Sequence, residues 1–436
     1  DINNSNYKLR NKLTFFDVTE EFAYTFSNRQ MSFDKDLGLK GKYCYHPFNT
    51  VTVDGQGDVY MCICQAWLPI SIGKIWDFDS FEAIVASARA REIQASILDG
   101  SYRYCDNNTC SILKANLLEK KISHRPDTIN WINFSIDSSC NLTCPSCRSK
   151  FKFINQGPEY DTRMAIVDHM IKLIEKHDHW LKFTLAGDGD PFASLIYRHL
   201  MSNLNLNGKN VEIEIVTNGI LLKSHWHKLA GLHKNLVRTK ISFDAGTESV
   251  YNVTRRGGDW NKLLESSKFI SKWKQKNYSN MALTANFVVQ TANFQDMPAF
   301  VDLCDSIGFD EINFQKIVDW GTFTNFEEQA IWQSNHPKHQ EFLKILEHPS
   351  LNNKKINFTI DGQSSTYCNF NIQSKYLKKK IEFYFFQKKF YNKINTKLIR
   401  LDSFINKNKI NNIDLLKIDT EGYELRVLQG LGNKFH

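Results

Sequence analysis

The stretch Cys140-Asn-Leu-Thr-Cys144-Pro-Ser-Cys147 carries three thiols within eight residues. It follows Asn130-Trp-Ile-Asn-Phe-Ser-Ile136, whose alternation of apolar and polar residues predicts a β-strand. Three cysteines on a loop that leaves a strand indicate a bound metal, since thiolates bind zinc and iron–sulfur clusters alike. Structural zinc sites usually take paired C-x2-C units and fill four positions. One compact loop with three cysteines instead favours a 4Fe-4S cubane with one open iron. A zinc loop or three unrelated core thiols are the alternatives.

The Cys-x3-Cys-x2-Cys spacing resembles the signature of the radical S-adenosylmethionine (SAM) superfamily. The resemblance implies that Cys140, Cys144 and Cys147 hold a SAM-cleaving 4Fe-4S cluster whose open iron binds SAM. It also implies an electron donor such as flavodoxin or ferredoxin, and a deoxyadenosyl radical that abstracts a hydrogen from the substrate.

Strand-like and helix-like segments alternate from about residue 128 to residue 318, a pattern typical of βα units around a parallel sheet. Six strands suit the partial barrel of radical SAM enzymes, so the expected fold is α/β with a partial (β/α)6 TIM-type barrel. The predicted strands are 130–137, 181–187, 211–217, 239–244, 282–290 and 311–317.

Polar and glycine-rich residues follow these strands, where barrel enzymes carry their sites. The run Gly187-Asp-Gly-Asp190-Pro191 resembles the GGEP motif of the family, which implies that Gly189 and Asp190 hold the SAM amino group. An ordinary turn has the same composition. Thr217, Asn218 and Asp244 end the third and fourth strands, where small polar side chains either bind ribose hydroxyls or form turns.

The segment from Ser242 to Trp260 is similar to the corresponding part of SPASM-type radical SAM enzymes. The resemblance implies that Ser242 and Arg255 contact the SAM carboxylate, and a guanidinium suits a carboxylate because its fork makes two parallel hydrogen bonds. The run from Phe287 to Asn293 resembles the fifth-strand segment, which adds Gln290 to the candidate cofactor-binding residues.

Residues 1–125 hold five of the ten cysteines around a predicted hairpin with its turn at 54–57. Their spacing allows either a tetrahedral zinc site or a second iron–sulfur cluster. This region looks like the SPASM or twitch auxiliary-cluster module, placed before the barrel rather than after it. The resemblance implies an auxiliary 4Fe-4S cluster on Cys44, Cys62, Cys105 and Cys110, with Cys64 as the competing ligand.

The composition changes after residue 345, where Pro349 to Lys355 has the features of a linker. The run from Ile413 to Glu424 looks like FkbM-type methyltransferases, which implies a partial Rossmann-like α/β segment. No glycine-rich cofactor turn opens such a fold here, so we predict an inactive remnant or a truncated fusion. The predicted domains are 1–125, a small cysteine-rich α+β domain, 126–345, the partial barrel, and 346–436, the methyltransferase-like segment.

The chain has 436 residues, of which 42% are hydrophobic and 23% charged, as in globular proteins of two or three domains. Its net charge of +8 neither requires nor excludes an anionic partner. No apolar run approaches the roughly 18 residues that cross a bilayer, and the first residues lack the apolar core of a secretory signal. We therefore expect a cytoplasmic enzyme without a membrane partner, in which cysteines bind metal rather than form disulfides.

The expected activity is that of a radical SAM enzyme acting on a small-molecule, sugar or peptide substrate, and nucleic acid is not an expected partner. Two alternatives remain at this point. One is a zinc- or cluster-stapled protein that binds nucleic acid through a basic face. The other is a SAM-dependent O-methyltransferase acting on sugars.

Overall fold

The computed structural model describes residues 37–107, 109–114, 118, 128–185, 189–277, 279–319 and 321–359. The methyltransferase-like run from Ile413 to Glu424 lies outside these ranges. So do Gly187 and Asp188 of the glycine-rich motif.

The described ranges contain one sheet of ten strands, in the order β10-β9-β8-β7-β6-β5-β4-β1-β2-β3. The strands from β10 to β1 in this order are parallel to their neighbours, and β2 and β3 extend the sheet by antiparallel pairing. The strands are β1 (Thr50–Asp54), β2 (Asp58–Tyr60), β3 (Ser71–Lys74), β4 (Trp131–Ser135), β5 (Leu181–Leu185), β6 (Val211–Thr217), β7 (Leu236–Ser242), β8 (Ala282–Val289), β9 (Glu311–Lys316) and β10 (Ile356–Thr359).

The six predicted barrel strands correspond to β4 through β9, and the partial barrel is confirmed. The fourth of them, β7, begins at Leu236 and ends at Ser242 instead of spanning 239–244. It ends there because Asp244 has a φ of 57°, in the left-handed region that does not continue a strand. Two further parallel strands were not predicted as part of this sheet. They are β1, from the cysteine-rich region, and β10, which pairs with β9.

The described helices follow the strands as the alternating pattern predicts. They are α1 (His46–Asn49), α2 (Phe81–Ala86), α3 (Ala88–Leu98), α4 (Ser111–Lys114), α5 (Pro158–Lys176), α6 (Leu195–Asn203), α7 (Leu222–His225), α8 (Glu248–Thr254), α9 (Trp260–Lys276), α10 (Met297–Ile307) and α11 (His339–Leu346). The helical stretch predicted from Phe81 to Leu98 is two helices, because Ser87 is extended and its hydroxyl caps α3 by accepting from the Ala90 N–H at 3.2 Å. Within the described ranges, no helix is long and apolar enough to span a membrane.

The two faces of the sheet differ in chemistry because successive side chains of a strand point to opposite faces. On β4, Ile132 and Phe134 are fully buried in the apolar core that the helices share, together with Met170 of α5. Trp131 and Asn133 occupy the opposite face, and the Asn133 side chain donates to the Ile63 carbonyl oxygen at 3.0 Å. The barrel therefore has an apolar outside, covered by helices, and a polar concave side.

The polar concave side carries a buried ionic cluster around Glu214 of β6. Lys182 Nζ lies 3.0 Å from Glu214 Oε1, Arg238 Nε lies 3.3 Å from the same oxygen, and Lys240 Nζ lies 3.6 Å from Oε2. Burial lowers the pKa of Lys240 to about 8, and the Glu214 charge opposes that shift. Charged groups of this kind, inside the barrel, make its interior suited to polar molecules.

Candidate functional site

The cysteine loop begins five residues after the end of β4, at the carboxyl end of the parallel strands. Cys144 is buried, Cys140 is half-buried and Cys147 is exposed. The Cys140 N–H donates to the Lys152 carbonyl oxygen at 3.0 Å, and the Cys147 N–H donates to the Cys144 carbonyl oxygen at 2.9 Å. The loop thus folds back on itself at the edge of the sheet where barrel enzymes place their sites.

A buried carboxylate, Asp137, holds the start of this loop. Its Oδ1 accepts from the Ser139 N–H at 3.1 Å and the Ser139 hydroxyl at 3.0 Å, and its Oδ2 accepts from the Ser194 hydroxyl at 2.5 Å. The Arg163 guanidinium, from α5, lies 3.6 Å from the same carboxylate and donates to the Ile136 carbonyl oxygen. Sequence reasoning missed these residues, although an acid between a buried strand and the first cysteine was a visible signal.

Two donors lie at the sulfurs of the loop. Arg255 Nη1 is 3.8 Å from Cys144 Sγ, and Asn218 Nδ2 is 3.7 Å from Cys140 Sγ. Burial raises the pKa of Cys140 to about 12, and the Asp190 charge adds to the shift. Burial also raises the pKa of Cys144, while the Arg255 charge opposes it. Donors aimed at sulfur stabilise thiolates, and a coordinated thiol is deprotonated, so this donor set fits a metal-bound state.

Asp190 was expected from the resemblance to hold the SAM amino group, but the structure gives its carboxylate other partners. Oδ1 accepts from the N–H groups of Phe192 and Ala193 at 3.0 and 3.2 Å. Oδ2 accepts from the Thr217 hydroxyl and the Asn218 N–H, both at 2.7 Å. A carboxylate accepts about four hydrogen bonds, so the acceptor positions of Asp190 are filled by protein donors. The shorter side chain of aspartate keeps the carboxylate within reach of the backbone, where it joins the β5 loop to the end of β6.

Gly189 lies against the loop that carries the first cysteine. A Cβ at this position would be 2.3 Å from the Ser139 carbonyl oxygen, so only glycine allows the approach. The Asp190 N–H donates to the same oxygen at 2.9 Å. Gly189 and Asp190 therefore fix the position of the cysteine loop relative to Thr217 and Asn218.

Replacing Asp190 with asparagine is expected to lower the free energy of unfolding by about 3 kcal/mol, because an amide nitrogen would face two buried donors. Guanidinium unfolding of the anaerobic protein measures this. The matched control is Asp259→Asn, at an exposed N-cap whose side chain accepts from the Lys262 N–H at 3.0 Å. Asparagine caps helices as well as aspartate does, so that change is expected to be under about 0.5 kcal/mol. Equal effects of the two substitutions would contradict the assignment.

The predicted residues Asp244 and Arg255 are paired. Arg255 Nη2 lies 2.8 Å from Asp244 Oδ2, and the Val288 N–H donates to Asp244 Oδ1 at 2.7 Å. Burial alone would lower the pKa of Arg255, but the Asp244 carboxylate and the Cys144 thiol raise it above its ordinary value. The guanidinium thus connects the cysteine loop to the ends of β7 and β8.

The other two candidates lie at the same rim. Ser242, half-buried, is the last residue of β7 and pairs in register with Asn286. Gln290 is buried directly after β8, and its N–H donates to Asn293 Oδ1 at 2.8 Å. Asn293 Nδ2 in turn donates to the Asp244 carbonyl oxygen at 2.9 Å. The structure therefore brings both residues to the strand ends that also carry Asp244.

Three buried polar atoms of this region have no hydrogen-bond partner in the part of the chain that the structure describes. They are Arg255 Nε, the Tyr251 hydroxyl and Gln290 Nε2. Buried donors are normally satisfied, so a group of unsatisfied ones at one rim fits a site for a polar ligand. Sequence reasoning did not single out Tyr251, in α8.

The cysteines of the N-terminal region form a second group. Burial raises the pKa of Cys62 well above its ordinary value, and the nearby thiols of Cys44 and Cys110 add to the shift. A hydrogen bond from the Cys64 backbone opposes this rise in the pKa of Cys62, and the Cys64 thiol adds to it to a smaller extent. Cys105 is half-buried. Cys62 and Cys110 belong to one buried cluster, and Cys64 and Cys105 pack against it. The four predicted ligands and Cys64 therefore lie near one another.

Within the described ranges, no three His, Cys, Asp or Glu side chains are arranged to hold a single metal ion. Tetrahedral zinc brings its sulfurs within about 4 Å of one another, since each Zn–S bond is about 2.3 Å. A cubane carries its cysteines on separate irons, so its sulfurs stand further apart.

Comparison with known families adds to this geometry. The profile of the radical SAM superfamily matches residues 135–304, which include the cysteine loop and the strands from β5 to β8. The chain carries a radical SAM domain. The SPASM profile, an iron–sulfur cluster-binding domain, matches residues 44–111, and the methyltransferase FkbM profile matches residues 305–436. The three families occur in the predicted order, and the FkbM match begins earlier than 346 and includes β9 and β10 of the sheet.

Curated relatives share about a quarter of the residues in the part of the chain that they match. A probable GTP 3′,8-cyclase of Methanocaldococcus jannaschii is 25% identical over 185 residues, which are 41% of this chain and 56% of the relative. A GTP 3′,8-cyclase of Alkaliphilus metalliredigens is 25% identical over 138 residues, which are 32% of this chain and 42% of that relative. The chain thus spans about half the length of the curated relatives that it matches.

Two solved structures that align with part of the chain are more distant in sequence. Streptococcus suis SuiB is 15% identical with a TM-score of 0.36, covering 64% of this chain and 62% of that chain. Native anSMEcpe with bound AdoMet is 20% identical with a TM-score of 0.34, covering 44% of this chain and 52% of that chain.

The radical SAM and SPASM matches imply 4Fe-4S clusters and SAM as the cofactors of this chain. The chemistry of the residues fits them, since the cysteine loop supplies three thiols with donors at two of the sulfurs.

Proposed function

We propose that this protein is a radical SAM enzyme in which Cys140, Cys144 and Cys147 hold a 4Fe-4S cluster that binds SAM. Held there and reduced, such a cluster would supply the electron for reductive cleavage of SAM and, through it, for hydrogen abstraction from the substrate. The observation that carries the proposal is the cysteine loop at the strand ends, with Arg255 and Asn218 donating to its sulfurs.

Several residues of the chain position SAM in this proposal. Arg255 Nε and the Tyr251 hydroxyl, both buried, donate to the SAM carboxylate, and Ser242 assists from the end of β7. Backbone groups at Gly189, rather than the Asp190 carboxylate, face the amino group, because that carboxylate already accepts four hydrogen bonds.

The remaining rim residues orient the nucleoside part of SAM. Asn218, held by Asp190, and Gln290, whose Nε2 is buried without a described partner, supply polar contacts at the strand ends. Thr217 donates to Asp190 and keeps Asn218 in register. Burial of this rim excludes water from the place where a radical would form.

The substrate that this interior fits best is a small polar molecule. Support comes from the concave side of the barrel, where Lys182, Arg238 and Lys240 surround Glu214. An interior of this kind favours groups that exchange hydrogen bonds and charge over an apolar ligand. The curated relatives are named for GTP, which is also small and polar.

The N-terminal region, residues 1–125 in our domain proposal, would hold an auxiliary 4Fe-4S cluster on Cys44, Cys62, Cys105 and Cys110. The Cys62 carbonyl oxygen accepts from the Thr52 hydroxyl at 2.7 Å, on the polar side of β1. An auxiliary cluster here would therefore lie beside the barrel interior, where it could bind substrate or exchange electrons with it.

We propose residues 126–345 as the barrel domain and residues 346–436 as the methyltransferase-like segment. We still predict that this last segment is inactive in methyl transfer. The enzyme would receive its electrons from a flavodoxin or ferredoxin in the cytoplasm.

Anaerobic reconstitution tests the proposal. With iron, sulfide, dithionite and SAM, the protein is expected to bind about eight iron atoms, four for each cluster, and to release deoxyadenosine and methionine in equal amounts. Cys62→Ser is expected to remove about four of those iron atoms. The rate of SAM cleavage measured in the absence of substrate should stay unchanged. A colourless protein that contains zinc and forms no deoxyadenosine would contradict the proposal.

A further inference from the structure

A short exposed segment follows the third cysteine directly. Phe151 and Phe153 are 62% and 41% exposed, and Lys150 beside them is exposed as well. Exposed apolar side chains that lie together in a patch, rather than singly, are typical of interaction sites. We call Lys150, Phe151 and Phe153 the aromatic–basic strip.

The backbone explains why both aromatics face solvent. Lys152 forms an antiparallel bridge with Cys140. Successive residues of an extended segment point to opposite sides. Phe151 and Phe153 therefore share one side, and the side chains of Lys152 and its bridge partner Cys140 share the other. The strip is therefore carried by the backbone segment directly beside Cys140, and the nearby Cys147 is itself exposed.

Two exposed basic side chains lie at the strip and at the cysteine loop, and Lys152, between the two phenylalanines, is paired with Glu159 at 3.5 Å. Lys150 is exposed, and the exposed Arg256 donates from Nε to the Thr143 carbonyl oxygen of the cysteine loop at 3.1 Å. The chain as a whole carries a net charge of +8. An acidic protein would be attracted to this face before contact, and the two phenylalanines would supply the apolar centre of the interface.

We propose that the aromatic–basic strip is the docking surface for an acidic one-electron carrier protein that reduces the SAM-cleaving cluster. The inference rests on the proposed function, because it assumes a cluster on Cys140, Cys144 and Cys147. Electron transfer between proteins needs a short separation of the two redox centres. The strip provides it because it adjoins the exposed end of the cysteine loop.

The test compares two reductants in the double variant Phe151→Ser/Phe153→Ser. With reduced flavodoxin, kcat/KM for deoxyadenosine formation is expected to fall about tenfold or more, as when anchors at the centre of an interface are lost. With dithionite, a small ion that needs no docking surface, the rate is expected to stay within about twofold of wild type. Trp180→Ser is the matched control, because Trp180 is 39% exposed and precedes β5, at the end of the strands opposite to the cysteine loop. It should leave both rates unchanged.

A second readout does not depend on catalysis. Calorimetric titration with oxidised flavodoxin is expected to give a Kd about tenfold weaker for the double variant. Lys150→Glu should also weaken binding and make it less dependent on salt, because one attractive charge becomes repulsive.

Four results would overturn the inference. One is an equal loss of rate with both reductants in the double variant. Another is a double variant whose Kd for flavodoxin and whose rate with reduced flavodoxin equal those of wild type. A third is a loss of rate in Trp180→Ser as large as that in the double variant. The fourth is a self-associating wild type that becomes monomeric in the double variant, which would make a second copy the occupant. Wild-type protein that yields no deoxyadenosine even with dithionite would instead refute the proposed function, and calorimetry would still decide whether the strip binds the carrier.

Discussion

Serine in place of Cys140, Cys144 or Cys147, one at a time, is expected to abolish deoxyadenosine formation, with a fall of at least about a thousandfold. A cubane with a vacant iron needs all three thiolates, and a hydroxyl is a poor ligand for iron at neutral pH. Each variant should also bind about four fewer iron atoms than wild type. Product analysis by chromatography and iron determination on the same reconstituted samples measure both quantities.

Cys304→Ala is the control for this series. Cys304 is buried in α10, within the apolar core and outside both cysteine groups. Its replacement should keep iron content and product formation, with only a modest loss of stability. The assignment would be wrong if all three loop variants retained cleavage, or if Cys304→Ala lost iron to the same extent.

Arg255→Gln is expected to lower the free energy of unfolding by about 3–5 kcal/mol, the usual cost of leaving one partner of a buried ion pair unpaired. The substitution removes the guanidinium that lies 2.8 Å from Asp244 Oδ2 and donates to Cys144 Sγ. Arg255→Lys should lose less, because it keeps the charge but cannot serve both partners with a fork. Denaturant unfolding under argon gives the values.

The neighbouring Arg256 supplies a matched control, since it is exposed and its Nε contacts the Thr143 carbonyl oxygen at 3.1 Å. Arg256→Gln should cost no more than about 1 kcal/mol. In the double variant Asp244→Asn/Arg255→Gln neither charge is left alone, so part of the stability should return. Asparagine tolerates the left-handed backbone at position 244. Additive losses of the two single substitutions would show that the pair is not coupled.

Local patterns were enough to predict the partial barrel. The alternation along β4 and the helical spacing of α5 and α9 depend on neighbouring residues only, and these elements are where the pattern placed them. Strand β10 was missed because four residues after a lysine-rich turn carry too little pattern, and its place depends on pairing with β9. Likewise, the break at Ser87 depends on which of two conformations a serine adopts within an otherwise helical stretch.

The site was predicted better by residue type than by role. The acid at position 190 was found from its place in the motif, but its hydrogen bonds reach Thr217, 27 positions away, and no local pattern reports them. Asp244 and Arg255 were both candidates, yet their pairing arises only when α8 returns the chain to the end of β7. Arg163 was missed for the same reason, since it reaches the strand end from the second turn of α5.

Electron paramagnetic resonance of the dithionite-reduced protein tests the central claim most directly, because a cluster with an open iron changes its spectrum when SAM binds. In a Cys62→Ser background, which leaves only the cluster on the cysteine loop, we predict the signal of a reduced 4Fe-4S cluster whose g values shift on addition of SAM. A signal that SAM leaves unchanged would contradict the account, as would a protein without an iron–sulfur signal.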